Sequence, residues 1–236
     1  MGKIAEAIGQ LNIEISQNQE QQLQQYMDGI LQWNEKVNLT AIKDRDEFIV
    51  KHYVDSIVCL PLVEYKEAKS IIDVGTGAGF PGVPLAIMSP QKEFLLLDSL
   101  NKRLKIVDEL CSETGICNAK TIHSRAEDLA AKKDYRENFD LCVSRAVANL
   151  AVLAEYCLPF IKVGGYLLAY KGADAEAEIS SAKKAISVLG GEITRMEKID
   201  RSPSFDEHRI IVIRKKKNTP AKFPRKAGIP TKEPIK

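Results

Sequence analysis

Four glycines crowd into eight positions of this chain, in Ile71-Ile72-Asp73-Val74-Gly75-Thr76-Gly77-Ala78-Gly79-Phe80-Pro81-Gly82. Glycine lets backbone amides approach a ligand closely and adopt positive φ. A helix starting just after such a loop adds free N–H groups and the positive end of its dipole. The chemistry this serves is the holding of an anionic group on a nucleotide-like cofactor. Two elements must position the loop: a buried parallel strand over Ser70–Val74, and a helix over the apolar stretch Val83–Met88.

The dinucleotide fingerprint is G-x-G-x-x-G, whereas Gly75, Gly77 and Gly79 are spaced G-x-G-x-G, and Asp73 precedes them by two positions. That arrangement after a strand resembles motif I of the Rossmann-like S-adenosylmethionine methyltransferases. A second strand ends at Leu97-Asp98-Ser99. A carboxylate there, near the switch point of a parallel sheet, can accept hydrogen bonds from a ribose diol; the alternative is that Asp98 caps a helix. Ser124-Arg125-Ala126-Glu127 follows the third strand, where a loop reaches the adenine edge, although Glu127 also fits as a first-turn helix acid. Arg145 closes the fourth strand and can contact the methionine carboxylate or a target base, a surface salt bridge being the alternative. Two motifs are missing. No Asn/Asp-Pro-Pro-Tyr/Phe occurs, which disfavours methylation of an exocyclic amine. No Pro-Cys follows the fourth strand, and Cys142 within it is expected to face the core, which argues against covalent attack on a pyrimidine.

The pattern along the chain has three parts: residues 1–66, a helical N-terminal extension; 67–214, an α/β core; and 215–236, a basic tail. In the first, Ser16 and Gln19 fit a capping box. Leu23, Met27, Ile30, Leu31, Asn34 and Val37 then recur at helical spacing. A second helix is expected from Asp46 to Leu60, ended by Pro61. From Ser70, strands over Ser70–Val74, Phe94–Leu97, Lys120–His123, Leu141–Ser144 and Tyr166–Tyr170 alternate with helices, which implies a mostly parallel sheet covered on both faces. Two last strands, Glu192–Met196 and His208–Arg214, have no helix between them and should pair antiparallel.

Charge is distributed unevenly. Arg214 to Lys236 holds nine Lys/Arg and one acid, leaving 25 basic and 31 acidic residues before it. Such a tail is either a solvated end or a phosphate-contacting arm. Five cysteines without a C-x-x-C pair suggest reduced, buried thiols. No stretch approaches the ~18 apolar residues of a membrane span, and the first residues carry no signal-peptide core. A cytoplasmic monomer without membrane association is expected.

The ordered set of motifs resembles the glucose-inhibited division protein B family, the ribosomal RNA small-subunit methyltransferase G enzymes. It comprises Trp33–Ala41, His52–Ser56, Asp73–Pro84, Asp98-Ser99, Lys102–Lys105, Ser124–Glu127, Ser144–Val147, Gly164-Gly165, Lys171-Gly172, and Phe223-Pro224-Arg225-Lys226 with Gly228-Ile229-Pro230. The resemblance implies a Rossmann-like fold, with transfer of a methyl group from S-adenosylmethionine to N7 of a guanine in 16S ribosomal RNA. It implies cofactor contacts at Gly75, Phe80, Ala126, Glu127 and Arg145, to which the loop chemistry adds Gly77 and the ribose argument Asp98. Guanine N7 has a lone pair and no proton, so no general base is required, and no metal cluster is evident among three scattered histidines. Arg145 is then expected to orient the base or cofactor, so that Arg145→Ala cuts turnover while the fold persists. Phosphate contacts are expected from Lys36, Lys51, Arg201, Arg209, Lys215, Lys216, Arg225 and Lys226. His52 can stack on a base, but a half-buried helix histidine is favoured. Removing 215–236 is expected to weaken RNA binding and spare cofactor binding. A small-molecule methyltransferase, a non-catalytic RNA-binding or assembly factor and a nicotinamide dehydrogenase are the rival readings.

Overall fold

The computed structural model describes residues 2–199 and 208–235; Arg201 lies outside them. Seven strands form one sheet in the order β3-β2-β1-β4-β5-β7-β6. They are β1 (Ser70–Val74), β2 (Glu93–Asp98), β3 (Ala119–His123), β4 (Phe139–Arg145), β5 (Ile161–Lys171), β6 (Gly191–Lys198) and β7 (Arg209–Lys215). β1 pairs parallel with β2 and β4, β2 with β3, and β4 with β5. β7 runs antiparallel to both β5 and β6, and the pairing of the last two strands is the one expected. Ile71, Ile72, Leu141, Cys142 and Val143 are buried because both faces of the sheet are covered.

The helices between strands are α6 (Gly82–Met88), α7 (Asn101–Glu113), α8 (Ala126–Ala130), α9 (Leu150–Cys157), extended by a 3-10 turn to Phe160, and α10 (Ala175–Val188). Two apolar cores result, one per face. The first also contains Ile4, Ile8, Leu23, Met27, Ile30 and Phe48, so the N-terminal helices pack into it.

Those helices are α1 (Lys3–Gly9), α2 (Gln17–Asn34), α3 (Arg45–Phe48), α4 (Asp55–Ile57) and α5 (Val63–Glu67). α2 starts at the expected capping box: the Gln19 amide donates to Ser16 Oγ at 3.2 Å and the Ser16 amide to Gln19 Oε1 at 2.9 Å. α2 ends at Asn34, so Val37 lies beyond the stripe, and the Asn34 side chain instead accepts from the Leu39 amide at 2.8 Å. Tyr26 of α2 donates to the Ala78 carbonyl at 3.0 Å, buttressing the glycine loop from below. The helix expected over Asp46–Leu60 is interrupted. Ile49–Val54 is π-helical between α3 and α4, and such insertions change which side chains share a face.

The tail is not a free arm. Beyond β7 the chain is largely irregular up to α11 (Ile229–Lys232), yet it is docked: Phe223 is buried in the second core and Arg136 donates to the carbonyls of Thr219 and Phe223 at 2.7 and 2.8 Å. Lys215, expected at a phosphate, is fully buried, donating to Leu158 O at 2.5 Å and Thr219 Oγ1 at 2.6 Å and pairing with Glu137 at 3.2 Å. Burial pushes its ammonium down to about 8 despite Glu137. Arg225 is likewise committed internally, to Glu155 at 2.6 Å. Lys215 therefore cannot serve as the phosphate contact expected of it, and the main commitment of Arg225 is to Glu155 rather than to a phosphate. All five cysteines are free thiols; four are buried, but Cys117 is exposed.

Candidate cofactor and substrate site

The glycine loop leaves β1 at its carboxyl end. Gly75, Gly77 and Gly79 have φ of 77°, 60° and 89°, a region costly for residues with a Cβ. A Cβ on Gly75 would also overlap Val147, and one on Gly79 would overlap the Tyr26 hydroxyl. Above Gly77 there is open space, the nearest atom being an Arg103 nitrogen at 4.0 Å. Asp73 is fully buried and accepts the Gly82 amide at 2.8 Å, which pins the start of α6 to β1. Burial pushes its carboxyl up to about 7, with the Gly82 amide opposing.

Asp98 ends β2 and spans the gap to the loop, accepting from the Gly77 amide and from the Leu100 amide, each at 2.8 Å. It is therefore not the N-cap of α7, a position held by Leu100. With Gly75, Ala126, Glu127, Arg103, Val147 and Tyr156 it lines a cavity of about 300 Å³. Leu100 and Val147 at this cavity are 50% and 37% exposed. Two carboxylates, a close-approach glycine and two uncovered apolar side chains match the needs of an adenosine: acceptors for hydroxyls and amine, and apolar surface for a flat ring. S-adenosylmethionine therefore fits the residues present.

A second cavity, of about 620 Å³, lies on the other side of the β4 end. Arg145 and Ala146 line this one, while the next residue, Val147, lines the first. Lys51, His52, Asp55, Tyr170, Lys171, Glu178, His208 and Arg209 complete much of its wall. Arg145 is not a surface ion. Its side chain is 15% exposed, pairs with buried Asp55 at 2.6 Å, and donates to Lys51 O at 2.8 Å and His52 Nδ1 at 3.1 Å. Of its five N–H donors, these contacts engage three, all supplied by the π-helical turn or the residue following it.

Because a guanidinium only donates, His52 Nδ1 must accept. The proton of neutral His52 then sits on Nε2, which donates to Thr40 Oγ1 at 2.8 Å. Burial, reinforced by the Arg145 charge, pushes His52 down to about 3 and keeps it neutral. Its ring stacks on Phe80 at 4.3 Å. Asp55 also accepts from His208 Nδ1 at 2.7 Å. Burial would raise its carboxyl, but His208 and Arg145 outweigh burial and hold it below the ordinary carboxylate range.

Gly75, Asp98, Ala126 and Glu127 are thus brought together around the smaller cavity, with Gly77 held beside it by Asp98. Phe80 and Arg145 are not among that lining; Phe80 is 5% exposed in an aromatic cluster with Tyr26, Phe48 and Tyr53, and the Arg145 guanidinium lies 5.6 Å above its ring. Lys51 and Arg209 line the larger cavity. Lys36, Lys216 and Lys226 are exposed. Sequence reasoning assigned no role to Asp55, Tyr156 or Lys171; Asp55 stood inside the quoted His52–Ser56 segment, and only tertiary pairing reveals its task.

The family model described as GidB, rRNA small subunit methyltransferase G, matches residues 19–209. A protein named ribosomal RNA small subunit methyltransferase G from Alkaliphilus oremlandii is 52% identical over 226 residues, covering 96% of this chain and 95% of that one. One of the same name from Clostridium tetani is 46% identical over 230 residues, covering 98% and 96%. Among solved structures, Methanococcus jannaschii TYW2 in complex with AdoMet superposes with a TM-score of 0.56 at 15% identity, covering 74% of this chain and 79% of that one. The last likeness is one of fold.

Proposed function

The chain belongs to the rRNA small subunit methyltransferase G family, and from that premise we propose that it transfers the methyl group of S-adenosylmethionine to N7 of a specific guanine in 16S ribosomal RNA. The observation that carries the proposal is the pair of cavities meeting at Arg145–Val147, one suited to an adenosine and the other walled by cations and rings. The cofactor supplies an electrophilic methyl group on a cationic sulfur. Everything else falls to the chain's own residues.

The glycine loop would bring its backbone close to the cofactor, Asp98 and Glu127 would accept from its hydroxyls and amine, and Leu100 and Val147 would offer apolar cover for its ring. On the other side, the two remaining N–H donors of Arg145 suit the O6 acceptor of guanine, leaving N7 free to attack. With no proton on N7, none of these residues needs to act as a base, and neutral His52 is consistent with that. Orientation can supply up to ~7–11 kcal/mol of the barrier in favourable cases. Lys51 and Arg209 around the larger cavity, with exposed Lys36, Lys216 and Lys226, are the proposed phosphate contacts. We further propose that residues 1–66 and 215–236 act as appendages to a catalytic core at 67–214, and that the enzyme works as a cytoplasmic monomer on 16S RNA or the small subunit. Among the described residues no helix is long and apolar enough to cross a membrane.

The test is incubation with methyl-labelled S-adenosylmethionine and unmodified small subunits or their RNA, followed by mass-spectrometric mapping. The expected outcome is one 7-methylguanine in the RNA. Cofactor binding without RNA labelling would refute the assigned acceptor.

A further inference from the structure

Phe223-Pro224-Arg225-Lys226 and Gly228-Ile229-Pro230 have no place in the transfer chemistry, yet their contacts converge on the cofactor cavity. Arg225 grips Glu155 of α9 three times: its amide donates to Oε1 at 2.8 Å, Nε to Oε1 at 2.9 Å and Nη2 to Oε2 at 2.6 Å. Glu155 is 1% exposed, so this forked, charge-assisted contact is shielded from solvent. Arg225 Nη1 also donates to Glu233 O at 2.7 Å, folding the last residues back on the first. From that anchor two further contacts reach out. The Gly228 amide donates to Glu127 Oε1 at 3.0 Å, and Thr231 Oγ1 lies 2.8 Å from the Tyr156 hydroxyl. Glu127 and Tyr156 are both walls of the 300 Å³ cavity, whereas Arg225, Gly228 and Thr231 are not.

We propose that residues 216–235 form a strap that positions the cofactor site, with Arg225, Gly228 and Thr231 acting through Glu127 and Tyr156. Glu127 can present a fixed oxygen to the nucleoside because its other oxygen is held by the Gly228 amide. Docking of the strap and binding of the nucleoside are then thermodynamically linked, each favouring the other by the same factor. The inference rests on reading the cavity as a nucleoside site, and it replaces the expectation that the tail serves RNA affinity alone.

Two measurements on the full-length chain test it, both with S-adenosylhomocysteine as the probe. The first is tryptic cleavage after Arg225, which requires the strap to open locally. With probe at a hundred times its Kd, cleavage should slow by up to ~100-fold, because the open form loses the site. The second is the Kd of Arg225→Ala and Thr231→Val by calorimetry. Losing a charged hydrogen-bond anchor should weaken binding roughly tenfold or more for Arg225→Ala, and Thr231→Val, which leaves the anchor intact, should weaken it a few-fold. Arg225→Lys, keeping charge without the fork, should fall between wild type and Arg225→Ala. If wild type binds the probe but its strap is cleaved at an unchanged rate, or if a folded Thr231→Val and a folded Arg225→Ala both bind normally, the strap has no positioning role. A wild-type chain that bound no probe would overturn the reading of the cavity and the strap with it.

Discussion

Replacing Arg145 separates what it does for the fold from what it does for the reaction. Its guanidinium meets Asp55 at 2.6 Å, with side chains 15% and 7% exposed. Truncation to alanine leaves the Asp55 carboxylate buried without its main countercharge. Breaking a buried pair in this way costs on the order of 3–5 kcal/mol. His208 stays at 2.7 Å from Asp55, and the pair is not wholly shielded, so the lower end, about 3 kcal/mol, is the expected loss. For a domain of this size that is a drop in melting temperature of about 6–12 °C, a loss through which the fold is still expected to persist. Adding Asp55→Asn removes the stranded charge. The double variant should therefore regain about 1 kcal/mol or more through coupling between the two sites.

Activity should not follow stability. Arg145→Ala and the double variant should both lose methyl transfer by a hundredfold or more, the equivalent of about 2.7 kcal/mol of transition-state stabilisation. Urea denaturation of the cofactor-free protein and single-turnover methylation at saturating cofactor measure the two quantities on the same preparations. An Arg145→Ala chain as stable as wild type would show that the Asp55 pair contributes nothing. A double variant methylating at the wild-type rate would show that Arg145 touches neither guanine nor cofactor.

Three further outcomes are expected. A carboxyl whose pKa is raised by folding stabilises the folded chain most below its unfolded value and loses that contribution as pH rises through the folded one. For buried Asp73 the window runs from 3.8 to about 7, and about three pH units correspond to about 4 kcal/mol. The stability of wild type minus that of Asp73→Asn should thus fall between pH 4 and 7 and stay level above; a flat difference throughout would mean that the acid is ionised in the fold. Gly75→Ala forces a Cβ into positive φ and against Val147, and calorimetry should show cofactor binding weakened at least about tenfold, from strain of roughly 1–2 kcal/mol plus displacement of a cavity wall. Lys226→Glu, on an exposed part of the strap, should lower RNA affinity and reduce the logarithmic salt slope by about one contact, while cofactor Kd stays unchanged; an identical slope would remove Lys226 from the RNA-binding face.

The strands were readable because each central one is an apolar run between turn residues, and β1, from Ser70 to Val74, has the bounds expected of it. The capping box located α2 because Ser16 and Gln19 act locally. Three features went unread, for different reasons. The π-helical turn leaves no mark in the helical periodicity of residues 46–60, so the convergence of His52 and Asp55 on Arg145 was hidden. The strap read as a solvated end or a phosphate-contacting arm because its anchor, Glu155, is 70 positions away. Lys215 had a signal that was missed: strand alternation puts it on the same side as Ile211 and Ile213, both core residues, so its ammonium had to find partners inside.

The position of these features explains how a widespread cofactor fold is adapted to one acceptor. On the proposed reading, the loop, Asp73 and Asp98 make a nucleoside site from β1 and β2, with nothing in them to select a base. The proposed selecting surface is at the end of β4, where the chain passes from Arg145 to Val147 between the two cavities. Both appendages reach toward this junction. The N-terminal helices send the π-helical turn to hold Arg145 on the acceptor side, and the strap holds Glu127 and Tyr156 on the cofactor side. In-line transfer requires sulfur, methyl carbon and N7 to be aligned, and errors of about 1 Å in such alignment cost on the order of a hundredfold in rate. A lone pair that needs no base places the whole burden of catalysis on that alignment. Damage to either appendage should therefore reach the reaction through geometry: the helical side through turnover at saturating cofactor, and the strap side through cofactor affinity.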